Sequence, residues 1–164
     1  MEAYAHSYYT VRFNDCDPYR HLNNGRYIDY FLNAREDHLR AHYAMDLAQF
    51  IRNNEGWVVA SHAIQYTRPA AYNERVCILS GLIGAGTEHL MVEMLMLDEQ
   101  QKQLKAILHT RFVPIDLETG RKRAHPPEFL AFLSDKIIPT TPGQQGIADR
   151  AAHWIESLKK QPVA

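Results

Sequence analysis

The sequence predicts an α+β domain, a five-stranded antiparallel sheet wrapped around one long central helix. Three observations carry this prediction. Residues 24–44 place apolar side chains at helical spacing, the chain changes after Gly56 to four strand-like runs, and short links join those runs. Short links force antiparallel neighbours, because a parallel crossover needs a dozen residues or more. With 164 residues, 46% of them hydrophobic, the chain suffices for one well-buried core and is short for two.

Residues 8–14 alternate Tyr9, Val11 and Phe13 against Tyr8, Thr10 and Arg12, and read as a strand. The strand ends at the cluster Asp15-Cys16-Asp17-Pro18. Tyr27, Ile28, Tyr30, Phe31, Leu32, Ala34, Leu39, Ala41 and Tyr43 then recur with Asp29, Asn33, Glu36 and Arg40 on another face, so this helix is expected to be buried over most of its circumference. Asn23 or Asn24 is its natural N-cap, since an Asn side-chain oxygen can accept from first-turn amides. Residues 46–52 suggest a short second helix closed by Asn53-Asn54-Glu55-Gly56. Strands follow at about 57–66, 75–84, 88–98 and 104–113, punctuated by Pro69, by Gly84-Ala85-Gly86 and by Asp98-Glu99-Gln100-Gln101. The last two of these form a hairpin. Beyond Pro114, Thr119-Gly120-Arg121, Pro126-Pro127 and Pro139-Thr140-Thr141-Pro142-Gly143 interrupt the chain, and residues 147–160 have the pattern of a terminal amphipathic helix. The expected division is one domain over 1–136 and a C-terminal tail over 137–164 with a short helix.

A formal net charge of −1 offers no basic field for a run of phosphates, which argues against a nucleic-acid partner. No apolar run reaches spanning length, so no membrane insertion is expected. Residues 1–6 lack a basic region and an apolar core and do not read as a targeting peptide; with Cys16 and Cys77 the only cysteines, a reduced, cytoplasmic protein is expected. His62, His89 and His109 lack metal-ligand spacing, and no metal is expected. Cys77, Met91, Met94 and Met96 read as core, and Cys16 lacks the electropositive setting of a reactive thiol.

The chemistry concentrates in residues 15–24, where two carboxylates, an imidazole and two Asn precede the long helix. Unpaired N–H groups at a helix start can hold an electron-rich carbonyl oxygen while a nearby carboxylate attacks or activates water. On composition alone, Asp15, Asp17 and Asn23 could equally be caps that satisfy loop amides. Read in order, Val11-Arg12-Phe13-x-Asp15-x-Asp17 and His21-x-Asn23-Asn24-x-x-Tyr27-x-x-Tyr30-Phe31-x-x-Ala34-Arg35 resemble the opening of hotdog-fold acyl thioesterases of the hydroxybenzoyl-CoA thioesterase type. The His-x-Asn-Asn variant is also similar to plant acyl-ACP thioesterases. Tyr66-x-Arg68-Pro69-Ala70 and Asp116-x-x-Thr119-Gly120-Arg121 extend the match, which covers roughly residues 8–127.

The resemblance implies the hotdog fold, in which two protomers pair edge to edge as a homodimer or a homotetramer with active sites at the interface. It implies hydrolysis of an acyl-CoA or acyl-ACP thioester without a cofactor, CoA entering only as part of the substrate. Asp17 falls on the family's nucleophile or general base, the N–H groups of Asn24 and Gly25 on its carbonyl-polarising position, and His21 on the histidine of the plant enzymes. That plant pattern has asparagine where this chain has Tyr19, and many relatives carry glutamate where this chain has Leu32. Tyr27, Tyr66, Arg68 and Arg111 are candidates for substrate binding, the arginines toward CoA phosphates. A hotdog dehydratase or hydratase and a non-catalytic acyl-thioester binding domain are the alternatives.

Overall fold

The computed structural model describes residues 3–140 and 146–160. Strands β1 (Ala5–Thr10), β2 (Glu55–Tyr66), β3 (Arg75–Gly86), β4 (His89–Asp98) and β5 (Leu104–Asp116) form one antiparallel sheet in the order β1-β3-β4-β5-β2. The helices are α1 (Arg26–His42), α2 (Leu47–Arg52), α3 (Pro127–Leu133) and α4 (Ile147–Lys159). This is the hotdog arrangement, with α1 on the inner face of the sheet.

The central strands are apolar on both faces, and side-chain alternation divides them between two cores. Val76, Ile78, Leu82, Val92, Met94, Met96, Ala106 and Leu108 point to α1 and meet Tyr27, Phe31 and Ala34 there. Cys77, Leu79, Leu95, Leu97 and Ile107 point outward and meet Ala151, Trp154 and Leu158 of α4. Helix α4 therefore packs on the outer face of the sheet. Thr141-Pro142-Gly143 lie outside the described residues.

Several boundaries differ from the sequence expectation. The first strand stops at Thr10 and residues Phe13–Asp15 form a 3-10 turn instead. Gly84-Ala85-Gly86 is not the turn: β3 runs through it with a bulge between Leu82 and Gly84, and the reversal falls at Thr87-Glu88. Pro126-Pro127, expected only to interrupt the chain, starts a helix, with Pro127 in the first turn, where a missing N–H costs nothing. The inner stripe of α1 is narrower than expected, and it includes Arg35 and His38 beside Tyr27, Phe31 and Ala34.

A buried polar cluster joins α4 to the sheet. Glu93 of β4 is 0% exposed and accepts from Tyr4 Oη, Trp154 Nε1 and both Nε and an Nη of Arg150, and it pairs with His109 Nε2. Burial opposes its ionisation, but the hydrogen bonds from Arg150, His109, Trp154 and Tyr4 outweigh that and hold its carboxyl far below the usual carboxylate range.

Candidate active site

The chain reverses sharply between Thr10 and α1, and its own backbone fixes the reversal. Asp17 N–H donates to His21 O at 2.9 Å and Arg20 N–H to Asp17 O at 3.0 Å, with Arg20 at φ 64°. Pro18 keeps Asp17 out of the helical region. Asp17 Oδ1 accepts from Tyr19 N at 2.9 Å and His21 N at 3.4 Å, while its Oδ2 accepts from none of the described residues. Asp15 has a bracing role: its Oδ2 accepts from Tyr30 Oη at 2.8 Å, and its backbone oxygen holds Asn23 N.

The Asn23 side chain closes the turn that leads into α1. Its Oδ1 accepts from Gly25 N at 2.9 Å, so the Gly25 amide, expected to be bare, is occupied. The Asn24 N–H has no acceptor among the described residues. Asn24 O accepts from Tyr66 Oη at 2.7 Å, which ties the end of β2 to the start of α1. Tyr27 stacks edge-on against Tyr66 at 5.1 Å, and its hydroxyl accepts from Ala70 N at 3.0 Å. Burial raises the pKa of both tyrosines, so both stay neutral donors.

Asp17, His21, Asn24, Tyr27, Tyr66 and Arg68 line a single cleft of about 250 Å³. Six of the eight residues singled out in the sequence thus converge. Gly25 sits beside the cleft with its amide capped. Arg111 stands apart: it lies five residues along β5 from Ala106, the partner of Tyr66, a distance of about 17 Å at strand rise. Cys16 lies beside Asp17, but burial and then the Asp15 and Asp17 carboxylates push its thiol pKa up, the opposite of what a nucleophilic thiolate needs. Among the described residues no cluster of His, Cys, Asp and Glu could hold a metal ion.

The thioesterase-like superfamily profile matches residues 11–133, which spans this cleft and strands β2 to β5. The chain belongs to the thioesterase-like superfamily. Its chemistry is thioester hydrolysis. Over 115 residues it is 31% identical to the long-chain acyl-CoA thioesterase FadM of Escherichia coli (strain K12), covering 70% of this chain and 85% of that protein. The solved structure of YbaW from Escherichia coli, titled a probable thioesterase, superposes with a TM-score of 0.70 at 28% identity, covering 81% of this chain and 98% of YbaW. The DHNA-CoA thioesterase of Staphylococcus aureus shares the fold at a TM-score of 0.74 and 16% identity, covering 84% of this chain and 99% of that one.

The structure also has a second concave feature whose walls sequence reasoning did not single out. An apolar cavity of about 390 Å³ lies between the C-terminal half of α1 and the first residues of β2, within the size range of ligand pockets. Leu32, Leu39, Phe50, Trp57, Phe112 and Leu133 are among its walls. Trp57 is fixed there because its Nε1 donates to His125 Nε2 at 2.9 Å while His125 Nδ1 bonds Gly86 O at 2.7 Å. No spacing in the sequence marks Phe50, Trp57 and Phe129 as neighbours; only the fold brings them together from three elements, Phe50 edge-on to the other two rings and Trp57 tilted against Phe129. No helix among the described residues is long and apolar enough to cross a membrane.

Proposed function

We propose that the protein hydrolyses long-chain acyl-CoA thioesters, with the cleft at the start of α1 as the reaction site and the apolar cavity as the acyl site. The observation that carries this reading is the sharing of one cleft by the Asp17 carboxylate and the free Asn24 N–H. The name of the FadM relative and the aliphatic walls of the cavity support the chain class.

In this mechanism the thioester oxygen takes the Asn24 N–H, at the positive end of α1, and negative charge developing on that oxygen is stabilised there. Asp17 Oδ2 then has two routes. It attacks the carbonyl carbon, expelling the CoA thiolate and leaving an anhydride that water cleaves, or it takes a proton from water whose oxygen attacks the same carbon, the C–S bond then breaking to release the CoA thiolate and the free acid. His21 acts chiefly through its main chain, which clamps the Asp17 loop, and Gly25 leaves the approach open by lacking a Cβ. Arg68, exposed at the rim of the cleft, meets the CoA phosphates.

The sheet geometry favours a homodimer joined through β2. This edge strand is twelve residues long, with Val58 and Val59 exposed, whereas the opposite edge, β1, has six residues. Two-fold antiparallel pairing centred between Ser61 and His62 would set the Trp57 end of one copy against the Tyr66 end of the other, bringing the cavity of each beside the cleft of its partner. Free-thiol release from a palmitoyl-CoA series tests the mechanism. Asp17→Asn is expected to lower kcat by about 100-fold or more, and turnover equal to wild type would remove Asp17 from the chemistry. A single turnover in ¹⁸O-water separates the two routes.

A further inference from the structure

Among the described residues three Lys and Arg cations are buried, and two of them have carboxylates. Arg150 is paired with Glu93 at 2.7 Å and Lys105 with Glu74 at 2.7 Å. Arg35 has none: among the described residues, no carboxylate oxygen lies within 4.0 Å of it. It is 8% exposed and lines the apolar cavity. One Nη donates to Ser80 Oγ at 3.3 Å, and the guanidinium carbon stands 5.0 Å from the centre of the Tyr43 ring.

These contacts leave most of its donors unused. A guanidinium presents five N–H groups in a rigid fork and does not give up its charge in proteins. The Ser80 hydroxyl is shared with His38 Nδ1 at 2.7 Å, and His38 supplies no negative charge. Glu36 also lines the cavity, but its carboxylate is turned to solvent and paired with Arg40 at 3.2 Å. Burial lowers the Arg35 pKa, with Tyr43 opposing, in keeping with a cation that has lost water and gained no anion. An uncompensated buried charge is costly, and a carboxylate docked on its fork would relieve that cost with two parallel hydrogen bonds.

We infer that Arg35 receives a carboxylate carried at the far end of the acyl chain, so that the cavity favours ω-carboxyacyl thioesters over plain acyl thioesters of equal length. The inference rests on the thioesterase reading above and names the substrate class of that site. Its test compares kcat/KM for ω-carboxyacyl-CoA, its ω-methyl ester and the unsubstituted acyl-CoA over a series of chain lengths. The expected result is a preference of about tenfold or more for the free carboxylate at the best length. That preference should vanish in Arg35→Met and persist in part in Arg35→Lys, each variant being checked for folding by thermal melting. A wild-type ratio near one at every length would overturn the inference, as would a ratio unchanged in Arg35→Met. If Arg35→Met does not fold, Arg35→Lys and the methyl ester decide between charge and size. If no ester is cleaved, the thioesterase reading falls, and the same ratio measured as calorimetric binding of the three thioether analogues still decides the role of Arg35.

Discussion

Glu93→Gln puts the attachment of α4 under direct strain. The substitution preserves volume and removes one charge from a side chain that is 0% exposed and makes five hydrogen bonds between 2.7 and 2.9 Å. A Gln amide keeps one acceptor oxygen and presents an NH₂ to groups that are themselves donors, Arg150 and Trp154 among them. Arg150 stays charged and loses its only carboxylate among the described residues. Removing one partner of a buried pair costs about 3–5 kcal/mol, a large share of a typical total of about 5–15 kcal/mol. For a chain of this length that corresponds to a fall in Tm of about 6–20 °C. Circular dichroism melts would measure it, with Trp154 fluorescence in a Trp57→Phe background reporting on α4. A fall below about 2 °C would refute the reasoning, because it would mean that Arg150 swings to water at little cost. The pair need not be a net source of stability, since apolar replacements of buried ion pairs are often neutral. Glu93→Leu with Arg150→Met should therefore recover most of the loss that Glu93→Gln causes.

His38 is 1% exposed between Ser7 Oγ and Ser80 Oγ, and burial, then Arg35 and His42, lower its pKa to about 4. Between that value and the free-imidazole pKa of about 6.5 the unfolded chain binds a proton that the folded chain refuses, so stability falls as pH drops through this window, by about 3 kcal/mol in full. Urea titrations from pH 7 to 4 should show this slope in wild type and a flatter one in His38→Gln; equal slopes would assign it elsewhere. For the proposed dimer, Val59→Lys places a charge on the exposed edge of β2, and sedimentation should read two chains for wild type and one for the variant. A wild-type monomer would remove the β2 pairing.

Element type was legible wherever one periodicity dominated. Tyr27, Phe31 and Ala34 mark the inner stripe of α1, and all five strands were found, with ends displaced by up to four residues. The errors came where punctuation residues carried a different meaning in context. Glycines at 84 and 86 sit in a bulged strand rather than a turn, and Pro127 opens α3. Neither can be separated from its alternative without knowing which neighbour packs against it.

The site divides along the same line. Asp17, His21 and Asn24 are close in sequence, so a local motif suffices to bring them together, and Tyr66 and Arg68 joined them because the end of β2 docks on α1. Which amide is free was not legible, because Asn23 and Asn24 are equally good caps on composition and only the geometry gives Gly25 N–H to Asn23. The cavity was invisible for a deeper reason. Its walls come from α1, α2, α3 and four strands, and its most unusual member, Arg35, which closes the motif of the resemblance, carries no sequence signal of burial. What sets Arg35 apart is the lack of a carboxylate partner among the described residues, a property of three-dimensional surroundings that spacing cannot encode. The proposed reaction site is therefore a local arrangement and the proposed selecting surface a long-range one, so on this reading changes in the cavity walls alter acyl choice while the cleft residues stay as they are.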